Sequence, residues 1–98
     1  MAMHAESGIM EARDDIRVIN TLGVHARPAS MIVETALKFQ SNVYMQYKGN
    51  MVNAKSIMGL LTLGAAQGSR LTVICTGPDA QDALEAIRQL FASGFGEA

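Results

Sequence analysis

A histidine followed two positions later by an arginine stands directly before the first long apolar repeat of the chain. The segment reads Gly-Val-His-Ala-Arg-Pro-Ala over residues 23–29, and His25, Arg27 and Pro28 are its informative members. Proline favours the first turn of a helix, where its missing N–H is not needed. The segment therefore predicts that His25 lies at the amino end of a helix, with Arg27 just beyond it.

The amino end of a helix is suited to an anion bound on that histidine. Free backbone N–H groups gather there with the positive end of the helix dipole. A phosphoryl group on the imidazole would meet the helix start at Ala26, Arg27 and Pro28, and a guanidinium that can bind two of its oxygens. The dipole also disfavours the imidazolium by roughly 0.3–1 kcal/mol, which favours the neutral ring that can attack phosphorus.

The other residue types limit the reactions that His25 can serve. The chain shows no Ser/His/Asp arrangement, zinc-ligand spacing or glycine-rich nucleotide loop, so no metal and no cofactor is expected. A phosphoryl group would therefore come from another protein rather than from ATP. A simpler role for His25, as a helix-cap or core histidine, stays open from these residues alone.

Length and composition describe one small folded domain. Its 98 residues are 49% hydrophobic and carry a formal net charge of −1, so no affinity for nucleic acid is expected. No apolar run reaches the roughly 20 residues that insertion in a membrane requires. The single cysteine, Cys75, predicts a reducing, cytoplasmic location. Residues 1–14 lack periodicity and are assigned to a flexible leader, and residues 15–98 to the domain.

Apolar periodicity predicts alternating strands and helices. Strand character is found at residues 16–19, 43–47, 51–53 and 71–76. Amphipathic spacing predicts one helix that ends near Phe39 or Gln40 and another from Ala80 to Phe91, with a short helix between them. The order β-α-β-β-α-β-α predicts an α+β open-faced sandwich, in which the helices cover one face of a small antiparallel sheet.

The short helix is delimited by Ser56 and Gly64, which are typical start and stop residues. From these residues alone, the favoured role of Ser56 is that of a structural N-cap. Ile57, Met58 and Leu61 would by default be core residues, as in most apolar runs.

Two segments, taken together, resemble a known family. The segment at 23–29 is followed by Asn-Ala-Lys-Ser-Ile-Met-Gly-Leu at 53–60. In this order, within one domain, they are similar to HPr, the histidine-containing phosphocarrier of the bacterial phosphoenolpyruvate-dependent phosphotransferase system. The similarity runs from about Asp15 to Phe95. It implies a four-stranded antiparallel sheet covered on one face by three helices.

The resemblance implies a role for each residue of these segments. His25 would be phosphorylated on Nδ1 by enzyme I and would pass the group to an enzyme IIA-type acceptor, while Arg27 steadies the phosphoryl group. Ser56 would be a regulatory site for HPr kinase/phosphorylase, with a transcriptional regulator as a further partner. The protein would be a carrier and not an enzyme. Its docking patch beside the histidine would consist of Lys55, Ile57, Met58 and Leu61.

Two rival functions stay open at this stage. Residues 20–23 and 91–95 look similar to family members of the nitrogen branch of the phosphotransferase system. Residues 55–59 look like members of its kinase-regulated sugar branch. A nitrogen-branch or purely regulatory HPr-like protein is therefore the nearest alternative. A non-catalytic module that binds RNA or metabolites belongs to another class, and the strands lack the aromatic and basic surface that stacks bases.

Leu22 departs from the family pattern, in which a small or polar residue often stands near the histidine.

Overall fold

A four-stranded antiparallel sheet carries three helices in the computed structural model, which describes residues 10–97. Across the sheet the strands lie in the order β1-β4-β2-β3. This arrangement confirms the predicted open-faced sandwich. Along the chain the elements are β1 (Met10–Arg17), α1 (Ala26–Ala36), β2 (Asn42–Tyr47), β3 (Asn50–Asn53), α2 (Ile57–Thr62), β4 (Arg70–Gly77), α3 (Ala80–Ala92) and a 3-10 turn at Gly94–Gly96.

The first strand corrects the assignment of the leader. β1 begins at Met10 and pairs with β4 along its whole length, so residues 10–14 are part of the sheet. The sequence pattern did not predict these residues as a strand, because exposed charged residues such as Glu11 and Arg13 interrupt any apolar alternation. β1 is an edge strand that is held mainly by its backbone pairing. The rest of the predicted leader lies outside the described residues.

The core lies between the helices and the covered face of the sheet. Each fully buried aliphatic or aromatic side chain contributes roughly 1.5–3 kcal/mol to the free energy of unfolding. Cys75 packs there as a small apolar residue, and burial raises the pKa of its thiol to about 11. The largest contributions come from Ile32 on α1, Val43 and Met45 on β2, Leu71 and Val73 on β4, and Ile87 and Phe91 on α3.

The first helix ends earlier than its apolar repeat predicted. α1 stops at Ala36, and the chain then tightens into a turn in which Lys38 N–H donates to the Thr35 carbonyl at 3.1 Å. Leu37 falls within the predicted helix but follows the last helical residue of α1, and its side chain is exposed. None of the helices formed within residues 10–97 is long and apolar enough to cross a bilayer.

Candidate functional site

His25 is the N-cap of α1, the position that the sequence predicted for it. Its backbone is extended (φ −95°, ψ −166°), and its carbonyl accepts the N–H of Ala29 at 2.9 Å. The imidazole forms no capping hydrogen bond, so both ring nitrogens are available for other contacts. The side chain is 34% exposed, which leaves one part of the ring open to solvent.

Two backbone amides are available beside this ring. Within residues 10–97 the N–H groups of Ala26 and Arg27 donate to no acceptor, as expected for the first residues of a helix. Pro28 was expected to share in holding a phosphate, but it has no N–H to donate. Its side chain is instead buried in the first turn of α1.

Glu97, which the sequence analysis did not single out, lies against the imidazole. Its Oε1 is 2.9 Å from Nε2 of His25 and accepts an N–H of Asn20 at 2.8 Å. Its Oε2 accepts Nη1–H of Arg27 at 3.0 Å. We call Glu97, His25, Arg27 and Asn20 the Glu97 network. Arg27 therefore lies on the Nε2 side of the ring, where it binds a carboxylate.

The network favours one protonation state of each partner. The hydrogen bond from His25, followed by that from Asn20, holds the pKa of Glu97 below its ordinary value, so the carboxylate is ionised near neutral pH. A carboxylate only accepts hydrogen bonds, so Nε2 of His25 carries the ring proton. Because the pKa of Glu97 is lowered on folding, the network stabilises the fold above the ordinary glutamate pKa. That contribution is lost as the pH falls through the lowered value.

The 3-10 turn after α3 places Glu97. Gly94, Phe95 and Gly96 all have left-handed backbones, with φ of 62°, 57° and 72°. For Phe95 this conformation costs about 1–2 kcal/mol. Burial of its ring, which meets Phe91 edge-on with 4.8 Å between centroids, offsets that cost with roughly 1.5–3 kcal/mol. The Phe95 carbonyl also accepts Nη1–H of Arg27 at 2.9 Å, which joins the turn to α1.

Asn20 and Gly23 hold the loop that carries His25. Asn20 is 1% exposed, and its side-chain amide donates to the Gly23 carbonyl at 2.8 Å as well as to Glu97. Gly23 has φ +68°, and a Cβ there would lie 2.5 Å from the Ala65 carbonyl oxygen and 2.9 Å from Cα of Ala66. The loop therefore approaches the 65–66 backbone more closely than a side chain allows.

We expect Gly23→Ala to destabilise the protein more than a left-handed backbone alone explains. The conformation by itself costs an alanine about 1–2 kcal/mol. Gly64→Ala is the matched control, because Gly64 has φ +66° and nothing within 4 Å of an added Cβ. Urea unfolding gives the free energy of unfolding that each variant loses. The extra loss of Gly23→Ala over Gly64→Ala measures the overlap of the new Cβ with the 65–66 backbone. Equal losses would contradict the close approach.

Ser56 is the N-cap of α2, which confirms its predicted structural role. Its Oγ accepts the N–H of Gly59 at 3.1 Å, and its side chain is partly exposed. Lys55 was expected to supply positive charge to a docking surface. Its ammonium donates to the Phe39 carbonyl at 3.0 Å, at the turn that follows α1, and the docking role stays a prediction. A cation is stabilised there by the carbonyls at the carboxyl end of a helix.

Three apolar residues of α2 point into solvent, contrary to their default assignment to the core. Ile57, Met58 and Leu61 are exposed, with Met58 at 73%. Leu60 and Leu63 are the inward-facing residues of the same segment. We call Ile57, Met58 and Leu61 the α2 patch. A group of exposed apolar side chains is one feature of surfaces that bind other proteins.

Comparisons with known proteins agree with this geometry. Residues 12–93 match the PTS-HPr family, described as the PTS HPr component phosphorylation site. An HPr from Thermoanaerobacter tengcongensis superposes with a TM-score of 0.85 at 40% identity, covering 89% of this chain and 98% of the other. A phosphocarrier protein HPr from Bacillus anthracis gives 0.79 at 36% identity, covering 83% and 96%.

A regulatory relative is also similar. Crh, the catabolite repression HPr of Bacillus subtilis, superposes with a TM-score of 0.66 at 38% identity, covering 85% of this chain and 92% of the other. The match to the family covers most of the chain, and its open antiparallel sheet with three helices matches the HPr structures. The chain therefore belongs to the HPr family, whose members are phosphocarrier proteins and not enzymes.

Proposed function

We propose that this protein carries a phosphoryl group on His25, taken from phosphorylated enzyme I and passed to an enzyme IIA-type acceptor. The observation that carries the proposal is the placement of a partly exposed imidazole at the N-cap of α1, beside two free amides. Nδ1 of the ring donates to and accepts from no group in the part of the chain that the structure describes. That nitrogen is therefore the one available to attack phosphorus.

The first helical turn supports the phosphoryl group in this proposal. The amides of Ala26 and Arg27 and the helix dipole favour an anion at this place. Arg27 is 56% exposed, so its guanidinium can also reach the oxygens of a phosphoryl group during transfer. Because no nucleotide-binding loop accompanies His25, the donor is a protein rather than ATP.

The α2 patch serves in this proposal as the docking surface for both protein partners. α2 packs against α1, which carries His25 at its start. Methionine adapts its shape to different partners, and Met58 is the most exposed member of the patch. The proposal places the protein in the cytoplasm, in agreement with its single, buried cysteine.

Incubation with phosphoenolpyruvate and enzyme I, followed by addition of an enzyme IIA, tests both steps. We expect acid-labile phosphate on His25 after the first step and its loss to the acceptor after the second. Enzyme I proteins of the sugar and nitrogen branches, used in parallel, identify the branch. Absence of label with either enzyme I would contradict the proposal, and label that no acceptor removes would contradict the relay step.

A regulatory function is the second candidate, and the similarity to Crh together with the position of Ser56 favours it. Ser56 caps a helix that carries the α2 patch, so a phosphate there would change the charge beside a docking surface. In this function HPr kinase/phosphorylase modifies Ser56, and the product binds a transcriptional regulator. The expected result is a complex that forms only after kinase treatment. A complex that forms equally well without the kinase would contradict it.

A further inference from the structure

We propose that two copies of this chain associate through the outer edges of β1, so that their four-stranded sheets join into one sheet. β1 stands at one end of the strand order β1-β4-β2-β3, and within residues 10–97 no strand pairs with its outer edge. Such an edge presents N–H and C=O groups that a further strand can bind. The occupant is a second copy, because the charge pattern of β1 complements itself when the strand is reversed. This association is independent of the carrier function proposed above.

Backbone alternation determines which residues of β1 face the outer edge. Val18, directly after the strand, donates its N–H to the Ser69 carbonyl at 2.9 Å, and its carbonyl accepts the N–H of Gly68 at 2.8 Å. The backbone of Val18 therefore faces β4. Because residues of an antiparallel pair face the neighbouring strand alternately, the residues at odd positions face outward. These are the four charged residues Glu11, Arg13, Asp15 and Arg17.

The amide of Asp15 supports this orientation. Its N–H donates at 2.8 Å to Oδ1 of the adjacent Asp14 and not to β4. A side chain of the same strand thus occupies the amide that a further strand would otherwise bind. On association, the amide exchanges this contact for the carbonyl of Arg13 of the second copy.

The charges favour one register of the two antiparallel strands. Outward-facing residues must lie opposite outward-facing residues, so the pair is centred on a residue and not between two residues. When it is centred on Asp14, Glu11 lies opposite Arg17 of the second copy, and Arg13 lies opposite Asp15. The two-fold axis repeats each pair, so all four directly opposite contacts join unlike charges.

The neighbouring registers bring like charges together. A pair centred on Arg13 places this arginine opposite its own copy and Glu11 opposite Asp15. A pair centred on Asp15 places this carboxylate opposite its own copy and Arg13 opposite Arg17. Like charges directly opposite each other destabilise a strand pair. Registers centred nearer either end of β1 overlap over fewer residues, so the register centred on Asp14 is the favoured one.

The four charged side chains lie on the open face of the sheet, where the two copies can pair them. Oδ1 of Asp15 accepts the hydroxyl of Thr72 on β4 at 2.8 Å, and side chains alternate between the two faces of a strand. Asp14 therefore faces the helices, where its Oδ2 lies 3.4 Å from Nη1 of Arg88 on α3. The two Asp14 carboxylates approach each other at the centre of the pair, and one Arg88 from each copy balances their charge.

Association at this edge leaves the proposed phosphoryl carrier free to act. β3 forms the opposite edge of the sheet, and α2 packs against β3 and α1. The α2 patch therefore lies away from the joined strands. Because the two β1 strands run antiparallel, the two loops that carry His25 leave the joined strands at opposite ends.

Three charge reversals test the register: Arg13→Glu, Asp15→Arg and Arg17→Glu. These side chains are exposed, so each variant should fold, which urea unfolding checks. Each variant alone turns two attractive contacts into two repulsive ones. We expect the wild type to form a reversible dimer in sedimentation equilibrium at low salt, and each variant to raise the dimer Kd at least about tenfold. Salt should weaken the wild-type dimer, since the pairs are exposed.

Mixing the variants gives the sharpest result. An equimolar mixture of Arg13→Glu and Asp15→Arg proteins restores all four unlike pairs across the interface, so a heterodimer with an affinity close to that of the wild-type dimer is expected. The mixture of Arg17→Glu and Asp15→Arg proteins is the matched control, because its members have the same net charges. It leaves two contacts between like charges, so its heterodimer should be weaker.

Equal affinities in the two mixtures would overturn the proposal, because general attraction between oppositely modified proteins would then explain both. A wild-type protein that is monomeric at every concentration would also overturn it. A dimer that all three single variants form as tightly as the wild type would contradict β1 edge pairing and indicate another interface. None of these results bears on the transfer of phosphate to His25, which the enzyme I assay tests separately.

Discussion

The His25→Ala protein is expected to take up no phosphate from phosphoenolpyruvate and enzyme I, a loss that reaches the detection limit of the assay. The substitution removes the nucleophile. The other members of the Glu97 network are a carboxylate, a guanidinium and an amide, and none of them has a ring nitrogen that could form an N–P bond. Radiolabel or intact-mass measurement of the purified protein after incubation gives the stoichiometry directly.

Two controls make this result specific. The imidazole has a single hydrogen bond within the described residues, to Glu97, so His25→Ala should fold with a circular dichroism spectrum like that of the wild type. Glu85→Gln, which removes an exposed carboxylate on α3 outside the Glu97 network, should be phosphorylated normally. The chain also contains His4, so any remaining label must be assigned by peptide mapping. Stoichiometric label elsewhere in the His25→Ala protein would refute His25 as the acceptor.

The Ser56→Asp protein is expected to bind enzyme I at least about tenfold more weakly at low salt, which corresponds to about 1.4 kcal/mol. The new charge lies at the start of α2, the helix that carries the α2 patch. Aspartate caps a helix as well as serine does, so the fold should keep its stability. Titration calorimetry at two salt concentrations measures the affinity, and screening should reduce the difference at high salt.

Ser56→Ala is the complementary variant, because it removes the cap without adding charge. Loss of the hydrogen bond from Gly59 N–H to Oγ should cost about 1 kcal/mol of unfolding free energy and leave the affinity for enzyme I close to that of the wild type. The two variants therefore separate stability from binding. If Ser56→Asp bound enzyme I as the wild type does, the expectation that a negative charge at residue 56 weakens this complex would be wrong. If it unfolded, the effect would be structural.

Local signals in the sequence predicted the elements that hold the site. Proline after histidine indicated the start of α1, and serine before an apolar run indicated the start of α2; both helices begin where these signals lie. These signals were weaker where backbone pairing or tertiary packing determines at which residue a strand or helix begins or ends. β1 was missed before Ile16 because its exposed charged residues carry no apolar alternation, and Leu37 was misplaced because α1 ends one residue earlier.

Glu97 could not be found from local pattern, since it contacts His25 across 72 positions of the chain. The Gly-Phe-Gly sequence before it indicates a turn, but the direction of that turn depends on how Phe95 packs against Phe91. The docking role of Lys55 stays a prediction. The hydrogen bond from its ammonium to the Phe39 carbonyl at 3.0 Å joins residues 16 positions apart, so local pattern could not show it either.

The identity of the phosphorylated nitrogen is the most direct test of His25 as the phosphoryl carrier. Nitrogen-15 labelled protein, phosphorylated with phosphoenolpyruvate and enzyme I, reports through phosphorus–nitrogen coupling which ring atom holds phosphorus. We expect a single phosphohistidine at His25, with phosphorus on Nδ1 and a proton on Nε2 that is donated to Glu97. Phosphorus on Nε2, which would displace Glu97 from the ring, or on a residue other than His25 would contradict it.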